Sequence, residues 1–207
     1  MSLRIWGRIS SINVKKVVWT AQEAGVKFER IDAGGTFGVV GTPEFRQLNP
    51  NALIPVIDDD GFVLWESNAI VRYLAAKHAF GTLYPEPLQA RADADRWMDW
   101  QQTTANRASR DAFLQLLRTP AEKRNDELIA QSVAATDALF GLLDAQLANR
   151  AFVCGDGFTM ADIVLGVEAH RWYGLPVDRS PRPQLERWYA QLRARPAAVG
   201  VLDIPLS

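Results

Sequence analysis

Apolar residues in the first part of the chain are spaced as in alternating strands and helices. Residues 3–9 alternate in polarity as a strand does, and the apolar residues within 14–24 repeat at the spacing of one helix face. Gly25 is typical of a helix C-terminal cap, and the alternation of residues 26–32 predicts a second strand. A strand, a crossover helix and a second strand form a βαβ unit.

Residues 42–76 predict a helix, a hairpin and a further helix. Thr42 followed by Pro43 is typical of a helix start, because proline suits the first helical position. Residues 58–61 form an acidic turn that ends in glycine between two apolar runs, which predicts an antiparallel hairpin. Ser67 is a good N-cap for the helix that follows. The predicted order β-α-β-α-β-β-α is that of a thioredoxin-like domain.

No strand pattern follows this first domain, and the remaining periodicity is helical. Glycine and proline break the periodicity of residues 79–88, which predicts a linker. Thr159 and Asp162 have the spacing of a capping box at the start of a core helix. The fold class is therefore a thioredoxin-like α/β domain over residues 1–78 and an all-helical domain over residues 89–207. The helices predicted in the second domain cover 89–118, 119 to about 149, a segment starting after Thr159, and 183–195.

The composition argues against several kinds of partner. With a net charge of -1, the chain lacks the basic excess that nucleic acids or anionic lipids attract. The first residues lack a charged-then-apolar leader, and no apolar run approaches about 18 residues, so we expect a cytoplasmic protein without a signal peptide or membrane span. Cys154, the single cysteine, is expected to be an inert buried thiol. Metal ligands are not clustered, so no metal is expected.

Two neighbouring features suit a short peptide ligand. Proline at position 55 favours extended backbone at Ile54 and allows a cis peptide bond, so Ile54 can offer its N–H and C=O for strand-like pairing. The helix that starts near Ser67 has unpaired N–H groups with partial positive charge, which suit a carboxylate. Glu66, beside them, can hold a charged head group.

These residues resemble the glutathione-binding half of the glutathione S-transferase family. The resemblance rests on N-P-x-x-x-[VI]-P, a hairpin with an acidic turn, W-E-S-x-A-I and a Y-L helix, in that order, and F-T-x-A-D-I extends it over nearly the whole chain. It implies glutathione as co-substrate. The loop of Leu53, Ile54 and Pro55 would pair with the cysteinyl backbone, while Glu66 and Ser67 would hold the γ-glutamyl group.

A homodimer is also implied by the resemblance. Asp95 matches an acidic residue of the long helix that, in relatives, reaches the glutamyl amine across the dimer interface. The alternative is an exposed charge on a helix face.

Glutathione reacts as its thiolate, so an active site must lower the thiol pKa from about 8.5. A hydroxyl near the start of the first helix would do so, and a shift of about 2 units corresponds to roughly 2.7 kcal/mol. Ser11 matches the serine of theta-like members. Ser10 and Asn13 compete for the role, and all three could instead merely cap the helix.

Other positions extend or weaken the resemblance. Many relatives hold the glycyl carboxylate with a basic residue where this chain has Ala52 and Leu53, so one anchor is missing. Gln102, Asn106 and Arg107 lie at helical spacing where relatives bind the electrophile. No cysteine occurs in residues 11–14, which excludes dithiol redox chemistry there.

The sequence therefore predicts a theta-like, serine-type glutathione transferase that adds the glutathione sulfur to an electrophilic small molecule. One alternative is a ligand-binding or protein-binding member of the same fold without turnover, which the missing basic anchor favours. Another is a glutathione-dependent isomerase of the maleylacetoacetate type, suggested by Ser10 and Ser11, although the S-S-C-S-x-R run is absent.

Overall fold

A computed structural model describes residues 3–206 of the chain. A four-stranded sheet and three helices form its first part, and five α-helices form the second. The elements in chain order are β1 (Leu3–Trp6), α1 (Ile12–Glu23), β2 (Phe28–Ile31), α2 (Pro43–Leu48), β3 (Val56–Asp59), β4 (Phe62–Trp65), α3 (Ser67–His78), α4 (Leu88–Trp100), α5 (Asn106–Leu117), α6 (Asp126–Gln146), α7 (Met160–Gly174) and α8 (Pro183–Arg193).

The sheet has the mixed topology that the sequence predicts. The strand order is β2-β1-β3-β4, in which β1 and β2 run parallel and β3 pairs antiparallel with both β1 and β4. A short turn joins the antiparallel strands β3 and β4, whereas the parallel pair needs the crossover helix α1. The predicted order β-α-β-α-β-β-α is confirmed. The predicted boundaries at residues 78 and 89 fall at the end of α3 and beside the start of α4.

Helices α1 and α7 join the two parts of the chain in one hydrophobic core. Trp19 of α1 is fully buried, and its ring centroid lies 5.8 Å from that of Phe158, which precedes α7. A Cβ atom on Gly166 of α7 would lie 2.9 Å from Trp19 Cζ3, so only glycine allows this approach. Every residue of α7 from Met160 to Trp172 is buried, which confirms that α7 is the core helix of the second part.

Asp162 organises the start of α7. Its carboxylate accepts hydrogen bonds from the backbone N–H groups of Val153 and Thr159, each at 2.9 Å, and from the Trp188 indole N–H at 2.9 Å. The predicted capping box is present. Asp162 thus ties the loop before α7 and helix α8 to one buried carboxylate.

Two predicted helix starts are wrong. Ser67 is the first helical residue instead of the N-cap, because Glu66 takes the N-cap position with φ 73° and its side chain makes no capping bond. Residues 119–124 form only a short 3₁₀ turn, Ala121–Lys123, instead of opening a long helix. Helix α6 starts at Asp126, where the Asn125 side chain caps it by accepting from the Leu128 N–H, and ends at Gln146.

Within residues 3–206, α6 alone has the length and hydropathy of a membrane span, with a mean hydropathy of 1.3 over its most apolar window. It nevertheless packs as one helix of the bundle. Asp137, on α6, accepts from the Ser180 hydroxyl and from Arg182, and Asp144 accepts from two backbone N–H groups at the start of α8. These carboxylates link α6 to the chain around α8 by hydrogen bonds and an ion pair.

Candidate active site

A cleft of about 130 Å³ lies where the first part of the chain meets the second. The loop before β3, the start of α3, the first turn of α1 and the stretch between α4 and α5 form its walls. The structure thereby brings together predicted residues that are up to 89 positions apart (13 to 102). The lining residues are Asn13, Asn49, Asn51, Leu53, Ile54, Pro55, Glu66, Ser67 and Gln102.

The loop before β3 presents Ile54 to the cleft. The Ile54-Pro55 peptide bond is cis, and within residues 3–206 the backbone of Ile54 makes no backbone hydrogen bond. A Cβ atom on Gly34 would lie 3.0 Å from Ile54 Cδ1, so this glycine, at φ 78°, allows the close packing that holds the loop in place. The free N–H and C=O of Ile54 can pair with an extended ligand.

Two asparagines shape the same wall, and the sequence interpretation did not assign them a role in the site. Asn49 is buried; its Nδ2 donates to the Leu53 carbonyl at 2.8 Å, and its Oδ1 accepts from the Asn51 N–H at 3.0 Å. The tripeptide N-P-N was the available signal, because asparagine side chains commonly bond to nearby backbone in turns. Neutral amides therefore lie beside Ala52 and Leu53, where relatives were expected to place a basic residue.

The start of α3 supplies backbone donors. Ser67 is buried at the cleft, whereas Glu66 is exposed and has the left-handed φ of 73°, unusual for a residue other than glycine. The first N–H groups of a helix have no intrahelical partner and carry partial positive charge. This part of the cleft can therefore bind a carboxylate.

The first turn of α1 separates the three candidates for the sulfur contact. Ser11 is the N-cap residue, but its side chain makes no capping bond. Asn13 lines the cleft, and its buried Oδ1 has no hydrogen-bond partner within residues 3–206. Ser10 instead lines a separate cavity of about 10 Å³, with Ile12 and Phe113 among its other lining residues.

The residues predicted for the electrophile lie apart. Gln102 lines the cleft, Asn106 accepts a hydrogen bond from Arg171 of α7 at 2.8 Å, and Arg107 is exposed and lines neither cavity described above. A π-helical stretch, Gln101–Ala105, joins α4 to α5. Its wider turns shift the helix face, so the regular spacing assumed from the sequence does not hold across it.

Asp95 is not among the residues that line the cleft. It lies on α4, where its Oδ1 accepts from Arg72 Nε at 2.7 Å. Asp99 pairs with the same guanidinium, with its Oδ1 at 2.6 Å from Arg72 Nη2. Asp95 retains 35% exposure of its side chain, so one face is open to a second molecule.

Cys154 and His170 lie outside the cleft. Burial raises the pKa of the Cys154 thiol to about 12, so it stays protonated at neutral pH. His170 is bonded at both ring nitrogens, to the Tyr189 hydroxyl and to the Ile204 carbonyl, each at 2.8 Å. Neither group is placed to act on a ligand in the cleft.

Behind the cleft lies Lys16, a fully buried residue that the sequence interpretation missed. Its ammonium donates to Gln101 Oε1 at 2.7 Å and to Gln102 Oε1 at 3.2 Å. The signal was the position of Lys15 and Lys16 inside the apolar run of α1, where a surface lysine would be out of place.

A thioredoxin-like domain with a cleft where it meets a helical domain defines the class of protein. Two family models match the chain: "Glutathione S-transferase, N-terminal domain" over residues 1–76 and "Glutathione S-transferase, C-terminal domain" over residues 126–191. The chain belongs to the glutathione S-transferase family.

Individual relatives agree with the family models over the full chain. Glutathione S-transferase GstB of Escherichia coli K12 is 42% identical over 207 residues, covering 99% of this chain and 100% of the relative. The theta class glutathione S-transferase of Xanthomonas axonopodis pv. citri, solved with glutathione bound, is 44% identical with a TM-score of 0.95 and 99% coverage of both chains. The expected family, fold class and glutathione transferase function are confirmed.

Proposed function

We propose that this protein binds glutathione in the cleft and transfers its thiolate sulfur to an electrophilic carbon of a small molecule. The observation that carries the proposal is the convergence on one cleft of three elements: the Ile54-Pro55 loop, the start of α3 and the first turn of α1. Each element supplies a different kind of contact, and together they match the parts of a tripeptide.

The loop and the start of α3 orient the tripeptide. Leu53, Ile54 and Pro55 form the wall on which the cysteinyl backbone pairs, through the free N–H and C=O of Ile54. Ser67 and the first N–H groups of α3 receive the γ-glutamyl carboxylate. Glu66, exposed at the same place, faces the γ-glutamyl group. Because the peptide is held at both points, its sulfur lies at the first turn of α1.

The first turn of α1 stabilises the thiolate. The Ser11 hydroxyl, free of a capping bond, donates to the sulfur. The Asn13 amide, whose buried oxygen lacks a partner within residues 3–206, completes the contact, since rotation of the amide presents its NH₂ group to an anion. Hydrogen bonds to the charged form lower the thiol pKa and raise the fraction of reactive thiolate at neutral pH.

The glycyl end is held by neutral amides in this proposal. Asn49 and Asn51 lie in the wall where relatives were expected to place a basic residue. A neutral donor contributes less to a carboxylate than a charged one does. We therefore propose that the γ-glutamyl end supplies most of the binding energy.

A conjugation assay tests the proposed reaction. The purified protein, given glutathione and 1-chloro-2,4-dinitrobenzene, is expected to form the conjugate faster than the same mixture without protein. Retention on immobilised glutathione with no conjugation of this or other electrophiles would favour the alternative of a binding protein without turnover. We also propose that the protein is cytoplasmic. Its net charge of -1 supports the absence of a nucleic-acid or anionic-membrane partner.

A homodimer would complete the site through Asp95. Its open face and its absence from the lining of its own cleft support a role in the cleft of the partner subunit, as an acceptor for the glutamyl ammonium. Asp95→Asn is expected to weaken glutathione binding about tenfold, because a charge-assisted hydrogen bond is lost. Isothermal titration calorimetry measures this change.

Asp99→Asn is the matched control, because Asp99 pairs with the same guanidinium of Arg72 and is 67% exposed. It is expected to change the affinity less than about twofold. Light scattering after size exclusion should show a dimer for the wild type and for both variants. If both substitutions weaken glutathione binding equally, the loss of affinity is due to the disturbed Arg72 guanidinium. If the protein is a monomer that binds glutathione at full affinity, Asp95 is not part of the site.

A further inference from the structure

The Lys16 ammonium is buried without a carboxylate in direct contact. Lys16 has no exposed surface, and its Nζ donates to three amide oxygens: Gln101 at 2.7 Å, Gln102 at 3.2 Å and Asn68 at 3.3 Å. Three acceptors satisfy the three donors of an ammonium. They do not neutralise its charge, and a buried charge without a counter-ion readily changes its protonation state.

The surrounding charges leave this ammonium only partly compensated. Glu168 of α7 is fully buried but does not contact Lys16 directly. Gln101 lies between them, because its Nε2 donates to the Glu168 carboxylate at 2.7 Å. The same carboxylate also lies 3.5 Å from the guanidinium of Arg171 and accepts from the Ser109 hydroxyl of α5. Burial lowers the pKa of Lys16 to about 7; Glu168 opposes this shift, Arg171 adds to it, and Glu66 at the cleft opposes it.

The hydrogen bonds of Lys16 lead directly to the wall of the cleft. Gln102 lines the cleft, and Asn68 follows Ser67 at the start of α3, with its Nδ2 donating to the Met98 carbonyl. The ammonium donates directly to the Gln102 side chain, with no group between them. A charge that enters the cleft therefore acts on Lys16 through a single side chain.

We propose that Lys16 is a positioning residue that takes up a proton when the anionic tripeptide binds, and that in its charged form it holds Gln102 against the ligand. The inference rests on the proposed binding of glutathione in the cleft. Glutathione has two carboxylates and one ammonium, so it enters with a net negative charge. Even at about 10 Å, such a charge strengthens proton binding roughly tenfold at the effective dielectric of a protein. By linkage, protonated Lys16 strengthens ligand binding by the same factor.

Calorimetry of proton uptake tests the proposal. S-Methylglutathione serves as the probe, because it lacks a thiol whose own ionisation would release protons. Titrations in phosphate and in imidazole, which differ in ionisation enthalpy and both buffer between pH 6 and pH 7.5, give the number of protons taken up per ligand bound. With the pKa of Lys16 near 7, the wild type is expected to take up about 0.5 proton at pH 7.5 and about 0.1 at pH 6.

Two substitutions at position 16 and one at its neighbour assign the proton. Lys16→Met removes the titrating group, and Lys16→Arg keeps a charge that does not titrate, so both are expected to take up less than about 0.1 proton at pH 7.5. Lys15→Met is the matched control. Lys15 is 2% exposed on the same helix, but its Nζ donates to the carbonyls of Val201 and Ile204, remote from the cleft, so uptake should persist.

The outcomes separate this inference from the proposed function. If the wild type binds the ligand without proton uptake at pH 7.5, the role of Lys16 is overturned and glutathione binding stands. Unchanged proton uptake in a folded Lys16 variant has the same consequence. Failure of the wild type to bind S-methylglutathione overturns glutathione binding in the cleft and, with it, this inference. Circular dichroism establishes which variants fold, and the wild-type measurement remains decisive if neither Lys16 variant does.

Discussion

Replacing Ser11 with alanine is expected to lower the turnover of glutathione conjugation about tenfold or more, while the affinity for glutathione changes little. The Ser11 side chain is at the N-cap of α1, two residues before Asn13 of the cleft wall, and makes no capping bond, so its hydroxyl has a donor available for the sulfur. That hydrogen bond favours the thiolate over the thiol, so its loss raises the thiol pKa and reduces the reactive fraction at neutral pH. Conjugation of 1-chloro-2,4-dinitrobenzene at saturating glutathione measures the change.

A comparison of Ser11→Ala, Asn13→Ala and Ser10→Ala identifies the sulfur contact. The pH dependence of kcat/KM reports the ionisation of the thiol, and the variant that loses the contact should show a higher apparent pKa. We expect the largest rise for Ser11→Ala and a smaller one for Asn13→Ala, because Asn13 lines the cleft but must rotate its amide to present a donor to the sulfur. A full rate and an unchanged pH profile in Ser11→Ala would transfer the role to whichever of the other two variants shows the rise.

Asp162→Ala is expected to reduce the free energy of unfolding by about 3–5 kcal/mol. The carboxylate is fully buried and accepts from the N–H groups of Val153 and Thr159 and from the indole of Trp188. Alanine would leave all three donors buried and unpaired. Since a domain of this size is stable by about 5–15 kcal/mol, the loss is a large share of the total. Urea unfolding followed by tryptophan fluorescence measures it.

Asp156→Ala is the control for this prediction. Asp156 lies in the same loop before α7 but is exposed, so its removal should change the stability by less than about 0.5 kcal/mol. If Asp162→Ala does not accumulate as folded protein, Asp162→Asn provides the measurement, because the amide oxygen keeps part of the acceptor capacity. A loss below about 1 kcal/mol in Asp162→Ala would show that water or rearranged side chains satisfy the three donors.

Local interactions explain which predictions were correct. The capping box of Thr159 and Asp162 and the cap of α2 by Thr42 involve residues three positions apart, so the residue types alone indicate them. The hairpin was equally predictable, because its turn and both strands lie within ten residues, Val56–Trp65. The start of α3 was predicted one residue too late, because the left-handed backbone of Glu66 is not evident from the residue type.

By itself, the sequence determined the order of elements in the first domain, the helical character of the second, the glutathione S-transferase family and the two segments that would hold a tripeptide. In the proposed complex, those segments bind through backbone groups of a loop and a helix start, and such groups are specified by short stretches of chain. Only the tertiary structure decided that Gln102 reaches the cleft while Asn106 bonds to Arg171. It also decided that Lys16 lies behind the cleft wall, bonded to Gln102. The physical reason is that a π-helical stretch changes the helix face, and a buried ammonium obtains its partners from helices far apart in the chain.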